Sequence, residues 1–370
     1  MAVAVTFDRL EVTGRIPAPP RCRKEGHLGV FIIAEAGVNH NGDAGRALEM
    51  VDAAATAGAD AVKFQTFSAD KLAAPGAEKA EYQKRQTGDG GQHAMLKALE
   101  MSDDLHRRLV ARCAERGIEF MSTPFDEEAA DLLDDLGMRR IKVPSGEIVN
   151  HPFLRHLATK NRPMIVSTGM ATMQEIEEAL EVIAAARAAR GFATPMTEMV
   201  TVLHCTSNYP AAASDVNLRA MRTIGEVTGH PVGYSDHTLG LAVSTAAVAL
   251  GATVIEKHFT LSRTLPGPDH SASLTVEELS QLIRQIRDVE AALGSPVKAP
   301  TDVELPVRAV VRRSVMARRS MPAGHTLSAR DLVLLRPASG IEPKHFDALP
   351  GRVLTAAVEA GQPLTWDHLS

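Results

Sequence analysis

The sequence predicts an α/β fold of the (β/α)8 TIM-barrel type, followed by a small β-rich C-terminal unit. Three observations carry this. Short apolar runs alternate with amphipathic helical patterns from residue 30 to 293, several helices close on a glycine just before the next run, and every run ends in polar residues. Eight such pairs in roughly 265 residues match the count and size of that barrel. A doubly wound sheet is the competing reading, but no G-x-G-x-x-G follows the first run and no P-loop occurs.

In order, residues 1–29 are an irregular extension capping the barrel, with short strands at Val3–Phe7 and Arg9–Val12. Barrel strands are expected at Val30–Ala34, Ala61–Phe64, Glu119–Ser122, Arg140–Val143, Met164–Ser167, Met199–His204, Pro231–Tyr234 and Thr253–Glu256. Helices follow from 3.6-residue spacing. Ala44–Ala57 puts Leu48, Val51 and Ala55 on one face, Asp103–Arg116 Leu105, Leu109 and Cys113, Asp126–Leu136 Ala129, Leu132 and Leu133, and Thr172–Arg187 Ile176, Ala179 and Ile183. Further helices are expected at 152–160, 217–224, 240–250 and 275–292. Gly58, Gly117, Gly137 and Gly251 sit where a helix must turn through a left-handed conformation that other residues resist. The segment Ser68–Met95 is far longer than an ordinary βα loop and reads either as a lid over the mouth or as a solvated insertion. Residues 294–305 form a Pro-containing linker. Residues 306–370 form a separate unit with short strands such as Ser314–Ala317 and Thr355–Val358, too small to stand securely alone.

Composition removes several classes. A net charge of −5 and pI near 6.3 argue against nucleic acid or an anionic membrane held by bulk charge. Three scattered cysteines (Cys22, Cys113, Cys205) make neither a disulfide framework nor a Cys-x-x-Cys ribbon, which points to a reducing, cytoplasmic setting. No leader pattern opens the chain. The uncharged run Thr238–Ile255 approaches membrane-spanning length, but Gly251 splits it into a helix and a strand.

A barrel demands that its chemistry sit at strand C-termini. Strand one ends in Glu35, two carries Lys63-Phe64-Gln65-Thr66, three ends in Ser122-Thr123-Pro124-Phe125-Asp126, and four runs into Lys142-Val143-Pro144-Ser145-Gly146-Glu147. Five gives Ser167-Thr168-Gly169-Met170, six His204-Cys205-Thr206-Ser207-Asn208-Tyr209, and seven and eight end near His237 and His258. Two imidazoles at matching strand ends, with Asp269 nearby, make a partial shell for a divalent cation. The alternative is two unrelated histidines, one in a capped turn and one in the core. Buried lysines call for an anion, and Lys63 and Lys142 ringed by hydroxyls describe a phosphate pocket. A Schiff-base lysine, or a structural pair of Lys142 with Glu147, competes with that reading.

These residues also carry a resemblance. Ala34–Gly42, Lys63–Thr66, Ser122–Asp126, Pro144–Glu147, Ser167–Met170, Tyr234–Thr238, Glu256–Thr260 and Pro266–His270 resemble the ordered motifs of the sialic acid synthase family. Arg312-Arg313-Ser314 and Leu335-Arg336-Pro337 resemble that family's C-terminal antifreeze-like (SAF) domain, of β-clip type. The resemblance covers about residues 30–370. It implies a transferase of the 2.5.1 type that condenses phosphoenolpyruvate with an N-acetylated amino sugar (N-acetylmannosamine or a 2,4-diacetamido-trideoxyhexose) and releases phosphate. By resemblance, Lys63, Thr123, Lys142, Ser145, Ser167 and Ser235 hold phosphoenolpyruvate. Gln65, Glu147, Tyr209 and Asp269 face the sugar. His237 and His258 bind Mn²⁺, or Mg²⁺ or Co²⁺, while Glu35, Lys142 and both histidines form the catalytic set. Arg313 reaches the N-acetyl group from the other subunit of a domain-swapped homodimer. Ser207 stands where sialate-forming members often carry Asn. With Lys79-Ala80-Glu81-Tyr82-Gln83 and Gly340-Ile341-Glu342-Pro343, it leans toward synthases of bacterial analogues such as di-N-acetyllegionaminate. A 3-deoxy-2-ketoacid synthase using a phosphorylated aldose and a non-catalytic carbohydrate-binding protein are the alternatives.

Overall fold

Parallel strands separated by helices close into a barrel here because each strand is apolar on both sides, one facing the helices and one the axis. The computed structural model describes residues 29–74, 76–88 and 90–370, and only the backbone of Tyr82. The expected N-terminal strands, the capping extension and Cys22 lie outside the described residues. The described residues up to Gly294 form one compact unit and Ser295–Ser370 a second.

The first unit holds eight parallel strands: β1 (Phe31–Gly37), β2 (Ala61–Thr66), β3 (Glu119–Pro124), β4 (Ile141–Val143), β5 (Met164–Ser167), β6 (Val200–Cys205), β7 (Val232–Asp236) and β8 (Val254–His258). Hydrogen bonding gives the order β3-β2-β1-β8-β7-β6-β5-β4, and its two ends, β3 and β4, lie against each other. Helices join them at Ala44–Ala57, Asp103–Arg116, Glu127–Asp135, His151–Ala158, Met173–Ala189, Arg219–Thr228, Ala242–Ala249 and Val276–Leu293. Their starts are set by side chains that accept from the first free amides: Asp43 from Arg46 N, Ser102 from Leu105 N, Asp126 from Ala129 N. Each such cap contributes about 1 kcal/mol.

Period-two alternation divides each strand's side chains between two cores. The outward series packs on the helices. The inward series stacks in layers along the axis. At the bottom Arg140 pairs with Glu119 (2.9 Å) and lies 4.4 Å from the centre of the Phe31 ring. Above it Ile33, Ala61, Met121, Ile165, Leu203 and Val254 plug the middle. One inward step higher, about 6.7 Å along each strand, come Glu35, Lys63, Thr123, Ser167, Cys205, Ser235 and Glu256. Gly233 belongs to the plug, because a Cβ there would fall 2.5 Å from Val254 O.

The strands run further than apolar content suggests. β1 ends at Gly37 rather than Ala34, and β2, β3, β7 and β8 each end two residues later than their apolar runs. The added residues are mostly polar, and those that point inward, such as Glu35, Thr123 and Ser235, stop an apolar run but not a hydrogen-bonded ladder. The segment after β2 is not a bare loop. It folds into short helices at Ala69–Leu72, Glu81–Thr87 and Gln92–Lys97, and Phe67 and Leu99 bury against Val38 beneath it.

In the second unit β9 (Ser314–Ala317) pairs antiparallel with β10 (Leu332–Leu335). Thr355–Val358 is not a strand; only Val358 makes a bridge, to Met321. Its neighbours are spent on turns, as Thr355 Oγ1 donates to Asp367 O. A helix absent from the sequence reading, Glu304–Val311, begins within the expected linker. Thr301 N and Oγ1 donate to Glu304 Oε2 at its start, and Pro306 falls in the first turn, where its missing N–H costs nothing. The valines that fill it mask its helical period.

Candidate active site

The uppermost inward layer and the strand-end loops surround a cavity of 390 Å³. Its floor is ionic. Lys63 Nζ lies 2.6 Å from Glu35 Oε2 on β1, 3.6 Å from Glu256 Oε2 on β8, and donates to Thr123 Oγ1 at 2.9 Å. Lys142 Nζ donates to Ser167 Oγ at 2.7 Å and lies 3.5 Å from Glu256 Oε1. Ser235 Oγ donates to the same Glu256 oxygen at 3.0 Å. Glu256 thus bridges both ammoniums.

Burial alone would raise every carboxyl here and lower every amine. The charges then sort the groups. For Glu256 the burial effect is outweighed by Lys142 and Lys63, and its pKa falls to about 2. For Glu35 burial prevails over Lys63, with Glu256 adding repulsion, and its pKa rises to about 7. Burial lowers Lys142 despite Glu256, whereas Lys63, held by both carboxylates against burial, is raised. One carboxylate is therefore fixed as an anion. The other is poised to gain or lose a proton near neutrality.

The imidazoles stand one step above. His237 Nδ1 donates to Thr206 O at 2.7 Å, an assignment that leaves Nε2 with a free lone pair. Its ring centre is 5.6 Å from that of His258 and 4.1 Å from that of Tyr209. His258 Nδ1 is buried without a hydrogen-bond partner among the described residues, 4.0 Å from Asp269 Oδ2. Burial holds His237 at about 4 and, together with the neighbouring His237, pushes His258 well below its usual value; burial raises Asp269 to about 6. Both rings are neutral at pH 7. An orphaned ring nitrogen beside a second one with a free lone pair fits a divalent cation. Among the described residues no group of three or more His, Cys, Asp or Glu is arranged to hold one, so a cation on the two imidazoles would need water or substrate oxygens as further ligands.

Outward-facing residues hold this pair in place. Asp236 Oδ1 accepts from Thr238 N and Oγ1, and Oδ2 accepts from Ser244 Oγ (2.6 Å) and Lys257 Nζ (2.7 Å). Lys257 also donates to Thr238 O at 2.7 Å, closing the turn that presents His237. Asn39 Nδ2 donates to Phe259 O and to Ser273 Oγ, and Ser273 Oγ donates to Asp269 O, which ties the loop carrying Asp269 to the end of β1. Two glycines make room. Gly37 has φ +52°, and a Cβ there would press on Glu35 and His258. A Cβ at Gly169 would fall 2.2 Å from Ser207 Oγ. Gly169 N donates to Ser145 Oγ, whose hydroxyl faces Cys205 Sγ at 3.2 Å.

The cavity is lined by Glu35, Lys63, Gln65, Thr123, Lys142, Ser145, together with Ser167, Tyr209, Ser235, His237, His258 and Asp269. Glu147 is not among the lining residues. It sits half-buried in the turn Ser145–Glu147 and accepts from Asn150 Nδ2 at 2.6 Å, so the carboxylate next to Lys142 is Glu256 and not Glu147. Arg313 is exposed in the second unit, where it lines a groove with Arg308, Arg312, Glu342 and Lys344. Glu256 is the residue that sequence reasoning passed over. The available signal was its place two residues before His258, on the same face of β8.

The NeuB family pattern matches residues 50–298 and the SAF domain pattern matches residues 312–370. The chain is 51% identical over 340 residues to the N,N'-diacetyllegionaminic acid synthase of Legionella pneumophila, covering 92% of this chain and 94% of that protein. It is 44% identical to the enzyme of the same name from Campylobacter jejuni, over 88% of this chain and 96% of that one. The crystal structure of N-acetylneuraminic acid synthetase from Leptospira borgpetersenii superposes with a TM-score of 0.67 at 31% identity, covering 78% of this chain and 95% of that one. By sequence and by fold, this chain belongs to the NeuB family.

Proposed function

We infer that the protein is a nonulosonic acid synthase, a transferase of the 2.5.1 type that joins phosphoenolpyruvate to an open-chain N-acetylated amino sugar. The observation that carries this reading is one cavity in which two ammoniums on a shared carboxylate face two neutral imidazoles. Lys63, Lys142, Thr123, Ser145, Ser167 and Ser235 bind the phosphate and carboxylate of phosphoenolpyruvate. Charge-assisted hydrogen bonds of this kind are the strong ones. His237 and His258 would hold a divalent cation, Mn²⁺ or else Mg²⁺ or Co²⁺, which would supply Lewis-acid polarisation of the sugar's aldehyde. Gln65, Tyr209 and Asp269 orient the sugar, and Glu147 is a weaker candidate because it does not line the cavity.

The reaction forms a bond from C3 of phosphoenolpyruvate to the aldehyde carbon, adds water at C2, and breaks the C2–O bond to free inorganic phosphate. The product is a 2-keto acid. The Glu35 carboxylate stabilises positive charge at C2 and takes the proton of the attacking water, help worth about 10²–10⁴-fold in rate. A pKa near 7 suits it to both halves of that cycle. We place the protein in the cytoplasm, where the buried thiols of Cys113 and Cys205 stay reduced, as a homodimer in which Arg313 of the partner subunit meets the N-acetyl group. Neither a nucleic acid nor a membrane is needed as partner.

The test is phosphate release from phosphoenolpyruvate with an acetylated amino sugar. His237→Ala is expected to abolish it, and so is removal of divalent metal. Turnover that survives chelation undiminished would refute the metal-assisted reading. Activity confined to phosphorylated aldoses would favour a 3-deoxy-2-ketoacid synthase instead.

A further inference from the structure

Resting on the synthase reading above, we propose that Met95, Leu96 and Phe125, backed by Val38, form a specificity wall. It selects an acceptor bearing a methyl group and acetamido groups where common amino sugars bear hydroxyls. The cavity is divided by chemistry. Its ionisable lining, Glu35, Lys63, Lys142, Glu256, His237, His258 and Asp269, belongs to the strand ends and the loop after β8. Its largest apolar patch, Val38, Met95, Leu96, Leu99 and Phe125, comes from the segment following β2 and the turns after β1 and β3, while Pro144, Met170 and Pro268 stand singly after β4, β5 and β8. This half therefore rises over the β1–β3 sector, next to β8 in the strand order.

The wall is built, not incidental. Val38, Phe67 and Leu99 are buried as its backing, with Phe67 packed edge-to-face on Phe125 at 6.0 Å between ring centres. Met95, Leu96 and Phe125 are only partly buried, and all three line the cavity. Phosphoenolpyruvate is small and, apart from its one CH2 group, anionic, so it cannot cover this surface. The acceptor, its aldehyde beside the imidazoles, is the molecule that must lie along it. A hydroxyl facing these side chains gives up its hydrogen bonds to water without replacement, whereas a methyl group buries apolar area. Gln83 borders the wall. Its Oε1 accepts from Ala80 N at 3.0 Å, which leaves Nε2 to donate to an acetamido carbonyl.

Apolar pockets discriminate by a methylene or a hydroxyl only about 10–200-fold. The full-length protein with Mn²⁺ and phosphoenolpyruvate is therefore expected to show kcat/KM about 10–100-fold higher for 2,4-diacetamido-2,4,6-trideoxymannose than for N-acetylmannosamine. Leu96→Gln should bring the two within roughly threefold, chiefly by raising KM for the methyl-bearing sugar, while Leu96→Met retains the ratio. Phe125→Gln is the second variant, should Leu96→Gln misfold. A wild-type ratio near one, or a ratio that Leu96→Gln and Phe125→Gln leave unchanged, overturns the wall but not the synthase. Phosphate release with neither sugar overturns the synthase reading itself, and the wall with it.

Discussion

Glu35 and Glu256 are the same residue type less than one side chain's reach from the same ammonium, yet they end in opposite states. Glu256 has two lysines and the Ser235 hydroxyl; Glu35 has Lys63 and a like charge. Because burial raises Glu35 above its ordinary 4.5, it is neutral below about 7 and charged above. Phosphoenolpyruvate, an anion, binds beside the neutral form at lower cost. The dissociation constant for phosphoenolpyruvate is therefore expected to rise as pH climbs from 6 to 8, with proton uptake on binding near pH 7. Glu35→Gln should flatten that slope. Calorimetry in buffers of different ionisation enthalpy measures both, and a flat wild-type profile would count against the assignment. The same shift fixes the sign for stability: the folded protein binds the extra proton between about 4.5 and 7, so Glu35 makes folding less favourable as pH rises through that window.

At the scale of elements, the turn from β7 into the helix Ala242–Ala249 shows how outward residues serve an inward site. Asp236 and Lys257 face away from the cavity, form a buried pair at 2.7 Å, and fasten the backbone on either side of His237. Removing one member leaves an uncompensated buried charge. Asp236→Ala should destabilise the fold by about 3–5 kcal/mol and cut activity beyond what lost stability explains. Denaturant unfolding and turnover at a temperature where the variant stays folded check the two parts; a folded variant with full activity would show that the clasp does not position His237. The extension of β1, β2, β3, β7 and β8 past their apolar runs has the same logic. The ladder continues while its inward side chains change from plug to chemistry.

For the whole molecule, the prediction concerns the two units. If Arg313 acts in the partner subunit's cavity, His237→Ala and Arg313→Ala subunits are each inactive or nearly so alone. Co-expressed, they should regain activity, since one cavity of each mixed dimer then holds an intact His237 and an intact Arg313. No recovery in purified mixed dimers would assign Arg313 to its own barrel or to no site. Among the described residues no helix is long and apolar enough to cross a membrane, and the uncharged run before Ile255 holds the helix Ala242–Ala249, buried on one face only at Ser244, Ala247 and Val248, and the start of strand β8.

Much was determined by sequence alone. Alternating apolar runs, helix-closing glycines and polar strand ends specify eight parallel strands, because local periodicity and backbone sterics act within a few residues. The Glu35, Lys63, Lys142, His237 and His258 signatures could be read for the same reason: each sits on or just past a single strand. Tertiary structure alone decided what those ends do to one another. That Glu256 rather than Glu147 lies beside Lys142, that Glu35 is poised near neutrality while Glu256 is fixed as an anion, and that the segment after β2 turns an apolar face into the cavity all depend on distances between residues far apart in the chain. Electrostatic and packing energies are set by those distances, and they exist only once the barrel has closed.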